Sequence, residues 1–539
     1  MEHEQEKTSP VQTTMSIDGD GSNGTGKATD AEVLARLGYK QEFRRNFSAV
    51  ELFGIGFSII GLVPSLASVL VYSIPYGGAS AMIWGWAVCG IFLTFIALAM
   101  AELGSAAPTS GGLYYWTFKF SSPRWRCLLS WIVGYSNTVG NIASVASVDW
   151  GCAVQIMAAA SIGSGLNFQA TTAQTFGVYC ALLLTHGVIC SLNPIIVARL
   201  QTPYIVLNIL LCLGLIIALP SATPDEFKNH ARYAFGSFNN ISGWNNGWAF
   251  ILSFLSPLWA IGSFDSTVHI SEEAKNANVA IPFAIILAAT SSVIIGWGLN
   301  IALAFTMGTD TGNILSSPIG QPMATILFNS FGQKGTLAIW AVIVIVQFTM
   351  GSSMLTTCSR QIFAFSRDGG LPFSSFLYNV NSRTHSPLQC VWFSVALSLL
   401  LGLLAFAGAS AIGAVFSLVV AGQYVAYSIP ILARFMGGQE FHPGPFNLGK
   451  AGLPVAITAV TFMLFMVLAL MFPASPSPSS NNMNYTAVVL GGTLLLSIIY
   501  FYLPTYGGLY WFTGPVRTLE DRYPQMDGKG DSEKDDSSS

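Results

Sequence analysis

The sequence predicts an all-α membrane protein with twelve transmembrane helices, and three observations carry that reading. Charged residues make up only 9% of the 539-residue chain and apolar ones 52%. A soluble domain carries about 25% charge, so this chain cannot clothe a water-facing surface. Apolar runs recur between residues 50 and 505, many near the roughly 20 residues a helix needs to cross hydrocarbon. Barrel strands would be shorter and would alternate. Lysine and arginine, finally, cluster on alternate sides of those runs.

Residues 1–45 are polar, rich in Ser, Thr, Gly and Asp, and lack the apolar centre of a secretory signal. They predict a disordered cytoplasmic tail. Spans are predicted near 50–72, 79–101, 126–158, 173–192 and 202–219, a first half within 46–219. An outer loop at 220–245 carries Pro220, Pro224, Asp225 and Glu226. Spans near 246–268, 279–306, 334–364, 389–408 and 411–433 make a second half, 246–433. Helices eleven and twelve, near 453–473 and 486–506, fall in 434–510, and 511–539 is a second cytoplasmic tail. The inner loop 365–388 reads as a tight turn plus a short surface helix.

With both tails inside, fifteen basic residues near the spans face inward: Arg36, Lys40, Arg44, Arg45, Lys119, Arg124, Arg126, Arg199, Lys275, Arg360, Arg367, Arg383, Arg434, Lys450 and Arg517. Only Lys228, Arg232 and Lys334 face outward. That asymmetry is the positive-inside pattern, and a miscounted span would scramble it. The net charge of −3 argues against a nucleic-acid partner. The eight cysteines form no CxxC pair, so no metal, cofactor or disulfide framework is expected.

Two helices carry interruptions. In 57-FSIIGLVPS-65, Gly61 tolerates unusual dihedrals, and Pro64 removes a donor and clashes with the carbonyl of Ile60. In 254-FLSPLWAIGSFDSTVHISEE-273, Pro257 and Gly262 straddle Trp259. Open backbone at membrane depth is costly unless it faces protein, a cavity or a ligand. The breaks fall in the first and sixth spans, at corresponding positions of two five-span halves. That placement points to an inverted-repeat secondary transporter; it rests on order and position, with no internal sequence identity. A half-helix start suits a carboxylate and a half-helix end suits an ammonium group. A broken pair therefore holds a zwitterion without charged side chains.

The stretches 53-FGIGFSIIGLVPS-65, 101-AELGSAAPTSGGLYYW-116, 257-PLWAIGSFDSTVHISEEAKNA-277 and 359-SRQIFAFSRDGGLP-372 carry a resemblance. Over roughly residues 35–515 the chain resembles fungal permeases of the amino acid–polyamine–organocation superfamily, in the branch of GABA, choline and general amino acid permeases. The resemblance implies a LeuT-like core of ten helices in two inverted five-helix repeats, plus two peripheral helices. It implies alternating access, usually coupled to protons. It places Ser58, Ile59, Ile60, Gly61 and Leu62 on one side of the substrate. Trp259, Ala260, Ile261, Gly262, Ser263 and Phe264 stand on the other, with Phe264 as a gate. Where some members have a Gly-rich first break, this chain has Ile-Ile-Gly.

Asp265 follows the sixth-span break; it either couples protons or contacts the substrate amine, or accepts backbone N–H bonds of the broken helix. Glu102 ends the second span and reads as an anchor or gating residue. Asp149 lies off the small-residue stripe of Ala143, Ser147 and Gly151; it either lines the vestibule, neutralising a cation, or is a capped interface residue. Glu272 and Glu273 pair with Lys275 or Arg367 as an inner latch, worth at most about 1 kcal/mol if exposed. Ser352, Ser353, Thr356 and Thr357 bond back to their own helix, and Gln347 and Gln423 are cavity liners. The expected partners are a small zwitterion or amine, protons and the bilayer. The sequence does not separate GABA, a neutral amino acid, choline and a polyamine, nor plasma from vacuolar membrane, and oligomeric state is unread. A membrane sensor on the same core is the rival; an intramembrane enzyme is disfavoured by the lack of paired catalytic groups at depth.

Overall fold

The computed structural model describes residues 30–42, 45–192, 194–384, 386–477, 479 and 483–516. Arg44, Arg517 and most of both tails lie outside the described residues.

The chain opens with α1 (Asp30–Arg36), then the broken pair α2 (Ala49–Ile60) and α3 (Leu62–Val69). There follow α4 (Gly78–Ala106), α5 (Gly112–Phe120), α6 (Arg126–Gly163), α7 (Thr172–Cys190) and α8 (Pro194–Ala222). The connection to the second half holds α9 (Ala231–Gly236) and a two-residue strand, Asn239–Asn240, antiparallel to Tyr76–Gly77. The second half begins with α10 (Asn246–Leu252), α11 (Leu255–Ala260) and α12 (Ser266–His269). It continues through α13 (Ala277–Thr306), α14 (Thr311–Ser316), α15 (Pro322–Arg367), α16 (Ser374–Leu377), α17 (Leu388–Gly402) and α18 (Ala409–Met436). The last elements are α19 (Gly452–Ala469), α20 (Thr486–Tyr502) and α21 (Gly508–Trp511).

Among the described residues ten helices are long and apolar enough to cross a membrane. The other two predicted spans are the segmented α10–α12 and the 17-residue α20. Start signals are local: Ser48 and Glu51 form a reciprocal capping box on α2, and Thr171 and Gln174 do the same for α7. Stops are local too. Gly408, at φ 115°, separates α17 and its 3₁₀ extension from α18, where the sequence reading divided two spans.

The helices sort into centre and periphery. The first broken segment is 94% buried over its most apolar window and α18 83%, against 28% for α8. The most exposed large apolar side chains include Ile217, Ile294, Leu468 and Leu496, on α8, α13, α19 and α20. An apolar exterior over a packed centre is what hydrocarbon requires and water forbids; this is a multi-pass integral membrane protein.

Three local expectations change. Residues 30–42 and 45 are not featureless tail: α1 forms, and Asp30 accepts from the N–H groups of Asn276 and Ala277 at 2.7 and 3.1 Å. The eighth predicted span starts twelve residues early, at Pro322, with Gly332 (φ 65°) turning the chain inside it. Glu102 does not end its helix, because α4 continues to Ala106.

Candidate functional site

The first break has a compact cause. Gly61 sits at φ 43°, ψ 65°, which ends α2 and starts α3. This left-handed conformation costs an L-residue about 1–2 kcal/mol. Pro64 is the third residue of α3, where a missing N–H is tolerated, yet its absence leaves the Ile60 carbonyl short of a donor. The Ser65 hydroxyl supplies it, at 2.6 Å. No backbone carbonyl among the described residues accepts from Leu62 or Val63; the Val63 N–H meets the Cys212 sulfur of α8, which leaves Leu62 as the first-turn N–H of α3 without a partner among the described residues.

The second break comes later than Pro257. That proline lies inside α11 and accounts instead for the bend at Ser253–Phe254 that parts α10 from α11, since it cannot donate to the Ser253 carbonyl. The helix itself ends at Ala260, and the chain turns through Ile261–Asp265 before α12. Gly262 donates to Trp259 O (3.1 Å), which leaves Leu258 O without a backbone donor among the described residues. Ser263 takes φ 58°, unusual for a residue with a Cβ. Its hydroxyl is fixed by Gln423 Nε2 at 2.7 Å.

Between the breaks lies a cavity lined by Ile59, Ser144, Val148, Trp259, Gly262, Ser263, Met350, Met354 and Val419. It leaves about 10 Å³ for the centre of a water-sized sphere, room for roughly one water. No charged side chain lines it. Toward the far face, opposite the tails, Phe416 packs at a tilt against Trp259 (5.0 Å between ring centres) and Tyr72 (5.3 Å). Beyond Tyr72 opens a larger vestibule, about 220 Å³ by the same measure, with Leu255, Gly413, Ser417, Phe472 and Asn484 on its walls. Phe416 and its two partners therefore plug the path from vestibule to cavity.

Toward the tail face the closure is polar. Phe264 packs on Tyr427 (5.8 Å), whose hydroxyl donates to Asp265 at 2.6 Å. Below them Arg367 holds Glu272 through two bonds of 3.0 and 3.2 Å, and Arg360 holds Glu273 at 2.9 Å. Asp368 accepts from Tyr39, Tyr114 and the Val516 N–H. Burial pushes the Asp368 carboxyl up while Arg367 beside it opposes the shift. Segments preceding α2 and following α21 thus both reach this closure, and Arg45 adds a bond to Ala274 O at 2.7 Å.

Of the eleven substrate-side residues named from the sequence, the cavity takes Ile59, Trp259, Gly262 and Ser263. Ser58 is buried with its hydroxyl unpartnered among the described residues, and Ile60, Leu62, Ala260 and Ile261 pack into the core. Gly61 shapes the wall: a Cβ there would stand 3.0 Å from Met350 Sδ. Phe264 lies on the tail side of the break, over Tyr427.

The polar candidates scatter. Asp149 is not at the vestibule: it is buried against His186 Nδ1 (3.0 Å), between α6 and α7. Glu102 is buried and clasped by Arg434 and the Leu448 N–H, the partners of an anchor tying α4 to α18. Lys275 is exposed and pairs with neither glutamate; Arg367 is the partner of Glu272 and Arg360 that of Glu273. Asp265 accepts from Tyr427 and faces His269 at 3.4 Å, and backbone N–H groups are not its partners among the described residues. Ser352, Ser353, Thr356 and Thr357 do bond back to α15 carbonyls. The sequence reading missed Ser144, Val148, Met350, Met354 and Val419. A signal existed on α6, where Ser144, Val148, Gly151 and Gln155 share one helical face.

A family model described as amino acid permease matches residues 47–494. The chain is 39% identical over 498 residues to the GABA-specific permease of Saccharomyces cerevisiae, covering 91% of this chain and 86% of that protein. It is 38% identical over 500 residues to an uncharacterised amino-acid permease of Schizosaccharomyces pombe, covering 93% and 90%. It is 34% identical over 487 residues to amino-acid permease 2 of Neurospora crassa, covering 90% and 89%.

Proposed function

The chain belongs to the amino acid permease family, and from that premise we propose how it moves its cargo. It is a secondary transporter of amino acids or GABA-type amines, not an enzyme. Our reading is a carrier of twelve transmembrane helices, ten of them in two inverted repeats, with α19 and α20 peripheral. It works by alternating access and is driven by protons.

The observation that carries this reading is the uncharged cavity between two helix breaks. A zwitterion there meets backbone dipoles. The Leu62 N–H at the start of α3 takes the carboxylate, helped by the positive end of the helix. The unpaired carbonyls at the end of α11 take the ammonium group. Met350, Met354, Ile59 and Val419 pack against the aliphatic part. The cavity is smaller than any such cargo, so loading requires the Phe416 plug to move. Glu272, Asp265 and their partners close the tail side meanwhile. The asymmetry of basic residues supports cytoplasmic tails, and uptake into the cell suits the plasma membrane.

The test is uptake into vesicles of purified protein under an imposed pH gradient, with radiolabelled GABA, L-alanine, choline and putrescine, each with and without a protonophore. Saturable accumulation of GABA or L-alanine that the protonophore abolishes is expected. Accumulation of choline or putrescine alone would remove the carboxylate role of α3. Binding without accumulation would replace the carrier by a sensor.

A further inference from the structure

Just beneath the second break lies a row of buried polar groups that the cargo does not need. His269 Nδ1 stands 3.0 Å from the Ser110 carbonyl oxygen, which only accepts, so Nδ1 carries a hydrogen. His269 Nε2 lies 3.1 Å from Asn137 Nδ2 and 3.4 Å from Asp265 Oδ2. Asn137 Oδ1 is taken by Asn141 Nδ2 at 2.7 Å, so its amide nitrogen faces the imidazole and Nε2 accepts. As drawn by these bonds, His269 is neutral. Asp265 Oδ2 and Asn141 Oδ1 are then buried without hydrogen-bond partners among the described residues. All of Asn137, Asn141, Asp265 and His269 are buried.

One proton repairs both defects. Placed on Nε2, it gives the unpartnered Asp265 oxygen a cationic neighbour and cancels the buried charge. Asn137 then turns its amide oxygen to the imidazolium, and Asn141 turns to accept from the Asn137 nitrogen, giving up its 3.0 Å bond to the Asn137 carbonyl. The row has two hydrogen-bond directions, and a proton selects between them. Other ionisable groups around α12 are committed elsewhere. Glu272 and Glu273 hold Arg367 and Arg360 of α15, Tyr114 holds Asp368, and Glu51 of α2 caps Ser48. Tyr427 of α18 donates to Asp265, with Tyr424 behind it. The α13 sequence contains no ionisable residue.

We propose that Asp265 and His269 form the proton site of this carrier, with Asn137 and Asn141 as the switch that reports its occupancy. The assignment rests on the proton-driven reading above. The link to cargo is short: Asp265 is two residues beyond Ser263, and Asn141 is one helical turn from Ser144, both lining the cavity. The proton enters from water on the far face with the cargo and leaves to water at the tail face.

The test uses vesicles with an imposed pH gradient and whichever of radiolabelled GABA and L-alanine the panel shows to accumulate. A one-unit gradient drives about tenfold accumulation for one proton per cargo. His269→Gln is expected to exchange cargo downhill yet accumulate it only about onefold, with a rate flat between acid and neutral pH. Retained tenfold accumulation in His269→Gln overturns the assignment and leaves the proton reading intact. A wild type that exchanges cargo but ignores the gradient overturns the proton reading itself. If His269→Gln loses exchange as well, Tyr427→Phe decides. Tyr427→Phe removes the hydroxyl that donates to Asp265, so the midpoint of the pH dependence of uptake is expected to move. An unmoved midpoint overturns the proposal.

Discussion

The two ends of the transport path are closed by different chemistry. On the tail face the closure consists of buried charges: Glu272 with Arg367, Glu273 with Arg360, and Asp368 among hydroxyls and a backbone N–H. On the far face three aromatic rings do the work, Tyr72, Phe416 and Trp259. Removing one partner of a buried ion pair costs about 3–5 kcal/mol, whereas an aromatic pair adds about 0.5–1.5 kcal/mol beyond its buried area. The far gate is the softer one. Opening toward the far face needs only the rings to slide, whereas opening toward the tail face needs several charge pairs undone together.

Breaking the tail-face lock is the largest perturbation available. Arg367→Met leaves Glu272 buried and uncompensated, and removes the guanidinium stacked 3.9 Å over the Tyr39 ring. The expected loss is about 3–5 kcal/mol, read by unfolding in detergent. A loss below about 1 kcal/mol would mean that the lock is hydrated and behaves as a surface pair. Next comes the first helix break, which lies between the two gates. Gly61→Ala forces a Cβ into a left-handed conformation at a cost of about 1–2 kcal/mol, against Met350 Sδ at 3.0 Å. Uptake is expected to fall. The double variant with Met350→Ala should recover the steric part and not the conformational part, and full recovery would refute the dihedral argument.

These contrasts show what a linear reading sees. Gly61 and Pro64 announce their break because both residues act on their own backbone, and the geometry follows from their covalent structure. Pro257 and Gly262 mark the second break in the sequence, but the positive φ falls at Ser263, whose hydroxyl is held by Gln423, 160 residues away. Tertiary hydrogen bonds of that kind leave no local mark. The same holds for Asp149, whose partner His186 sits on another helix. The span pattern was readable because hydrocarbon imposes a length and polarity on each helix separately. Exposure was not: the inner latch was expected at a surface ion pair's strength, yet Glu272 and Arg367 are each 1% exposed at the side chain. Met350 and Met354 were hidden for a similar reason, since methionine in an apolar helix is indistinguishable from core until its neighbours are known.

The far gate offers a smaller effect. Phe416→Ala deletes two ring contacts, each worth about 0.5–1.5 kcal/mol, and should bias the path toward opening by about fivefold or more. A thiol at Ser144→Cys reports it: modification by a water-soluble reagent is expected to speed up when Phe416→Ala is added, relative to the protein without the added thiol. No change would place the gate elsewhere.

The smallest effect sharpens the comparison most, because it keeps the chemistry and changes only the setting. Lys228 and Asp225 form an ion pair of 2.9 Å on the far-face loop, nearly the length of Arg367 with Glu272. Asp225 is fully exposed, and the lysine holds its carboxyl below the ordinary aspartate value, first by hydrogen bond and then by charge. A depressed folded-state value means that any stabilisation is present above the unfolded value and fades as pH falls through the folded one, so at pH 7 it is fully present and Asp225→Asn reads all of it. At neutral pH water screens both charges and two mobile side chains must be ordered to meet. Asp225→Asn is therefore expected to leave unfolding and uptake unchanged at pH 7, while Arg367→Met collapses both. If the two variants cost the same, burial does not set the strength of these pairs, and the contrast between the gates fails with it.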